Sequence, residues 1–115
     1  EFKRAWVDTF ADLEKVTQLD GFVHDADRRR LVAPQGHGAY RSVVYIEKQQ
    51  PVKNAMLVAD FTGDIRFQVS NDAGNSWITV KPGERFSFSR PDWRLCVRAT
   101  ARSAGAEIQN IALIW

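Results

Sequence analysis

The sequence predicts an all-β fold, a two-sheet antiparallel β-sandwich, and three observations carry that expectation. Glycine and proline recur at short intervals from Gly21 to Gly105. The runs between them are short, rich in β-branched and aromatic residues, and alternate apolar with polar. No long helical pattern lies among them. A chain of 115 residues suffices for one domain and falls short of two, so 1–115 reads as a single β-sandwich module, part of a longer chain.

The elements follow in order. Trp6, Phe10, Leu13 and Val16 recur at helical spacing and predict a short N-terminal helix. "VTQLDGFV" (16–23) then predicts a strand, and "HDADRRR" (24–30) a charged turn leading into "LVA". Further strands are expected over 40–47, 55–61, 65–70, 77–80, 85–89, 94–101 and 106–115. The segments "TGD", "DAGNS", "KPGE" and "SAGA" have the chemistry of hairpin connections. Alternation assigns faces. Ile65, Phe67 and Val69 point inward while Arg66, Gln68 and Ser70 point out. Phe86 and Phe88 go in, as do Leu95, Val97, Ala99 and Ala101; Arg85, Arg94, Cys96, Arg98 and Arg102 go out. The last strand, with Ile111, Leu113 and Trp115 on one side and Ala112 and Ile114 on the other, reads as central or covered. Trp77 is expected at one end of the core.

Composition narrows the class. With 44% hydrophobic and 26% charged residues the chain has the balance of a soluble globular domain. No apolar run approaches the ~20 residues of a membrane span, and the opening "EFKRAWVDTF" lacks the apolar core of a signal peptide. A single cysteine, Cys96, cannot form an internal disulfide, which fits synthesis in a reducing cytoplasm. The net charge of +2 is too small to imply nucleic acid.

The most informative stretch is "SNDAGNSWITV". Ser70, Asp72, Gly74 and Trp77 fit the spacing S-x-D-x-G-x-x-W, which resembles the Asp box, a β-hairpin repeat of sialidase propellers. The local physics explains each position. Asp72 accepts backbone N–H groups across a tight turn, Gly74 supplies a positive φ, Ser70 bonds back into the turn, and Trp77 folds over it as an apolar plug. Every residue is then used in holding the turn. The box imports no catalytic residue, and a propeller needs several copies where this chain has one. No enzyme is expected.

From Asn54 onward the order of motifs resembles modules of bacteriophage and prophage tail proteins. The matching pieces are "AMLVADF", "IRFQVSNDAGNSW", "VKPGERFSF", "RLCVRATA" and "IQNIALIW", somewhat over half the chain. The resemblance implies a jelly-roll sandwich of galactose-binding-like type, serving as a baseplate, fibre or adhesin domain. It therefore implies a non-catalytic structural module located in the virion tail and made in the bacterial cytoplasm. Its partners would be other tail subunits or itself, as a homotrimer, or a host-surface polysaccharide. The structural version expects Trp6, Tyr40 and Trp93 to lie outside the core, buried against sister subunits. The alternative is a carbohydrate-binding module attached to a secreted glycoside hydrolase.

Candidate binding residues come from the outward positions. Arg66, Arg85, Arg94, Arg98 and Arg102 would form one basic face if their strands share a sheet, gripping carboxylates or phosphates of a glycan, with Trp93 beside them to stack on a sugar. Against this stands the ordinary solvated outer face, with arginines that discourage edge pairing. "HDADRRR" is a self-neutralising turn rather than a Ca²⁺ site. His24 and His37 lack a second ligand at fixed spacing, so no metal and no cofactor are expected. A triad from Ser42 or Ser70 has no nucleophile-elbow context. Cys96 alternates with arginines, which pull a thiol pKa down, but a weakly reactive or interface-buried thiol is the ordinary outcome and the one expected. No recognition helix or aromatic platform supports nucleic-acid binding.

Overall fold

The computed structural model describes residues 2–115, and every regular element among them is a strand. In chain order these are β1 (Ala5–Asp8), β2 (Val16–Asp20), β3 (Val23–Asp25), β4 (Arg30–Ala33), β5 (Gly38–Ser42), β6 (Tyr45–Ile46), β7 (Val52–Thr62), β8 (Ile65–Ser70), β9 (Ile78–Val80), β10 (Arg85–Asp92), β11 (Arg94–Ala101) and β12 (Ala106–Ile114). They form two six-stranded antiparallel sheets. The first runs β10-β7-β12-β4-β3, with β1 also on β12; the second runs β2-β5-β11-β8-β9, with β6 also on β11. The expected two-sheet sandwich is present.

Period-two burial builds the core. Leu31, Leu57, Ile108, Ile111 and Leu113 from the first sheet meet Tyr40, Phe67, Val69, Leu95 and Val97 from the second, all buried. Phe61 crosses from the first sheet to meet Phe67 edge-on, ring centroids 5.0 Å apart. β12 is a central strand, flanked by β7 on one side and by β4 and β1 on the other, as its two apolar faces require.

The chain mostly alternates between sheets, which corrects the reading of its turns. "TGD", "KPGE" and "SAGA" each carry the chain from one sheet to the other; only "DAGNS" closes a hairpin within a sheet, between β8 and β9. Gly21 explains why "VTQLDGFV" is not one strand. It has φ +72°, and a Cβ there would lie 2.5 Å from the His37 carbonyl oxygen, so the chain bends and β2 and β3 fall in opposite sheets. The 40–47 strand is also split. Gly38–Ser42 and Tyr45–Ile46 both pair with β11, but the pairs Arg98↔Arg41 and Leu95↔Tyr45 show one extra residue between them. Ser42 covers the gap, its Oγ accepting the Val97 N–H at 2.9 Å.

The N-terminal helix does not form. Trp6 and Asp8 point inward from β1 and its neighbours point out, so the helical spacing of Trp6, Phe10, Leu13 and Val16 is coincidental. Phe10 adopts φ +58°, held by the Asp8 Oδ1 accepting its N–H at 3.0 Å and by the His24 ring donating to its carbonyl at 2.7 Å. Trp6 and Tyr40, expected outside the core, belong to it; Trp93 alone of that trio is exposed. Gln68, Ser70 and Cys96 are buried although their strand positions face outward, because the hairpin folds across them.

Candidate functional site

The hairpin after β8 is held by short side-chain contacts. The Ser70 hydroxyl donates to Asp72 Oδ1 at 2.6 Å and accepts the N–H groups of Asp72 and Gly74 at 3.1 and 2.9 Å. Asp72 in turn accepts the Ser76 N–H on Oδ1 at 2.9 Å and the Ser76 hydroxyl on Oδ2 at 2.6 Å. Burial pushes the Asp72 carboxyl up, but the bonds from Ser70 and Ser76 together outweigh it and hold its pKa at about 2. Ala73 and Gly74 both take positive φ, 61° and 86°. Backbone bonds tie the turn to the start of β11, from Ala73 N–H to the Arg94 carbonyl at 3.0 Å and from Arg94 N–H to the Asn71 carbonyl at 3.1 Å.

Trp77 does not plug the core. The turn lays it on the outer face of the second sheet, where the Arg41 and Arg98 guanidiniums sit over its ring at 5.4 and 4.2 Å from the centroid. Arg41 reaches the hairpin itself, its Nη2 donating to the Ala73 carbonyl at 3.1 Å. The Gly74 φ of +86° favours glycine at this position, and a Cβ there would also push the Arg41 guanidinium aside.

Strand register completes the site. Arg98 on β11 stands opposite Arg41 on β5 and Gln68 on β8, and Thr100 stands opposite Arg66. Arg98 Nε donates to Gln68 Oε1 at 2.7 Å, and Gln68 Nε2 donates to Thr79 Oγ1 at 3.2 Å. Gln18, Arg41, Arg66, Gln68, Arg98 and Thr100 line a groove of about 340 Å³. Among the described residues, ion pairs are made by Arg4, Arg28, Arg30, Arg94 and Arg102, and by none of the three groove arginines. The Arg98 pKa is lowered, first by burial and then by the like charges of Arg66 and Arg41.

The structure thus redistributes the sequence candidates. Arg66 and Arg98 share the groove. Arg85 lies in the other sheet, its guanidinium 4.7 Å from the Phe2 ring centroid. Arg94 is paired with Asp92 at 3.1 Å, which holds the Asp92 carboxyl below its usual range, and both line a separate polar hollow beside Asp72. Arg102 is paired with Asp64 at 2.9 Å. Trp93 does not line the groove; its carbonyl accepts the Glu47 N–H at 2.8 Å and its ring stays exposed. The expected five-arginine face therefore does not exist, because β10 pairs with β7 and two of the others are neutralised. Cys96 is buried, and burial raises its pKa, outweighing the pull of Arg41; this is the weakly reactive thiol expected, and the arginines do not activate it.

Sequence reasoning missed Arg41. Its signal was the alternation itself: an inward Tyr40 places Arg41 outward, but pairing with Arg98 is not written in either strand. It also missed Glu47, a buried carboxylate held by Arg4 Nε at 3.0 Å and by the Trp115 indole N–H at 3.5 Å. No group of three or more His, Cys, Asp or Glu placed to hold a metal ion occurs among the described residues. No protein-family model matches the chain, and no curated protein proved similar to it.

Proposed function

We propose that this chain is a non-catalytic attachment module of a phage or prophage tail that grips an anionic host-surface glycan through the outer face of its second sheet. One observation carries the reading: Arg41, Arg66 and Arg98 converge on a single groove, and among the described residues no carboxylate pairs with them. Crowding like charges is unfavourable, and a site that keeps them together is matched to a negative ligand. Guanidinium forks suit carboxylate and phosphate oxygens, giving geometry as well as charge. The tail assignment is supported by the order of motifs from Asn54 to Trp115. The non-catalytic assignment is supported by the hairpin, whose polar side chains are engaged with one another. A carboxylate with a pKa of about 2 is far from the range of a general acid or base at neutral pH.

Arg66→Ala is expected to weaken retention on host-envelope polysaccharide at least tenfold, about 1.4 kcal/mol, while the melting temperature stays unchanged. A glycan array with no signal above background would remove the reading.

A second reading, assembly onto sister subunits, draws on another surface. Val44, Tyr45, Ile46 and Trp93 are all exposed, and Tyr45 and Ile46 pair with the residues that directly follow Trp93. Trimers in sedimentation that dissociate on Trp93→Ala would favour assembly; a monomer at all concentrations would discard it.

A further inference from the structure

We infer that the group seated between Arg41, Arg66 and Arg98 is a three-oxygen anionic ester, a phosphate or sulfate carried on a sugar, rather than a carboxylate. The inference rests on the attachment reading and narrows its ligand. Each guanidinium has five N–H donors and no acceptor. Among the described residues, Arg98 commits Nε to Gln68 and keeps its two Nη groups as a fork; Arg41 commits one Nη2 hydrogen to the Ala73 carbonyl and also contacts the Cys96 thiol; Arg66 commits none. Three partly free forks therefore line one groove, with Gln18 and Thr100 as neutral neighbours.

A carboxylate has two oxygens in one plane, and a single fork satisfies both. Seating it here would leave two guanidiniums facing one another across a shared monoanion. A terminal phosphate or sulfate ester offers three oxygens, one for each fork. A phosphate monoester also carries about −1.5 to −2 charge at neutral pH, closer to balancing three cations.

Trp77 sharpens the choice. A neutral sugar is commonly gripped by an open aromatic face, but here the ring lies beneath two guanidiniums. Recognition at this groove is ionic first. Nucleic acid fits less well, because a phosphodiester has only two non-bridging oxygens and no open aromatic platform stands in the groove to stack bases.

The test is a titration of the full chain with inorganic phosphate, sulfate and acetate at constant ionic strength, following arginine Nε–H resonances. Phosphate and sulfate should saturate, binding about tenfold or more tighter than acetate, and Arg66→Gln should weaken both by a similar factor. Competition with phosphorylated mannan, dextran sulfate, polygalacturonate and oligo-dT then assigns the source. Displacement by the mannan or by dextran sulfate supports the inference and tells phosphate from sulfate. Equal or tighter binding of acetate and polygalacturonate overturns it while leaving the attachment reading intact. Displacement by oligo-dT alone overturns it in favour of nucleic acid. No saturable response to any anion or polymer removes both.

Discussion

Arg30 on the first sheet and Arg98 on the second meet opposite neighbours across their strands. On the first, Arg30 of β4 reaches across to Glu107 of β12, and the two charges cancel where the strands meet. On the second, Arg41, Arg66 and Arg98 meet glutamine, threonine and tryptophan instead. The first arrangement is what a solvated face needs. The second keeps positive charge concentrated, and the Arg98 pKa is lowered first by burial and then by the repulsion of Arg66 and Arg41. Outward arginines thus acquire their meaning from the strand beside them, and that neighbour decides whether a face is inert or receptive.

Breaking the scaffold under the second face gives the largest expected effect. Gly74→Ala forces a side chain into the left-handed region and against Arg41, so unfolding free energy should fall by about 1–3 kcal/mol. Anion binding should fall with it. Denaturant titration with a parallel phosphate titration checks both, and full stability with full affinity would contradict the packing described.

Asp72→Asn is the next largest. It replaces an ionised acceptor serving Ser70 and Ser76, with a loss of roughly 1.5 kcal/mol at pH 7. The pH dependence has a definite sign. Folded Asp72 titrates at about 2, below the ~3.9 of an unfolded aspartate. Its contribution is complete above that unfolded value and disappears as pH falls toward the folded one. The wild type should therefore lose stability across that acid window more steeply than Asp72→Asn, as seen in thermal melts at stepped pH.

The smallest change belongs to the first face. Glu107→Gln should cost under ~1 kcal/mol and leave the response of the groove arginine resonances to phosphate the same as in the wild type. A new saturable phosphate site at Arg30 would show that one unpaired arginine suffices and would weaken the case for convergence of three.

Much of the architecture was legible beforehand because apolar side chains recur at every second position along stretches of β8, β11 and β12, as Ile65, Phe67 and Val69, Leu95 and Val97, and Ile111 and Leu113 show, all of them buried. The N-terminal segment misled because a strand followed by a left-handed Phe10 happens to space Trp6, Phe10 and Leu13 like a helix. Alternation revealed that Arg85 and Arg98 point outward but not that they do so from opposite sheets, since pairing joins residues far apart in the chain. The four positions of the box announced a turn. That the turn delivers Trp77 to the outer face beneath Arg41 depends on β5 lying next to β11, a fact of assembly that no local motif encodes.

The cations over Trp77 also turn that indole into an optical gauge. Of the four tryptophans, Trp6 and Trp115 are buried and Trp93 lies away from the groove. An occupant that draws Arg98 toward itself lifts positive charge off the Trp77 ring alone. Emission colour and quenching would then follow occupancy of the groove, with Trp77→Phe as the dark control.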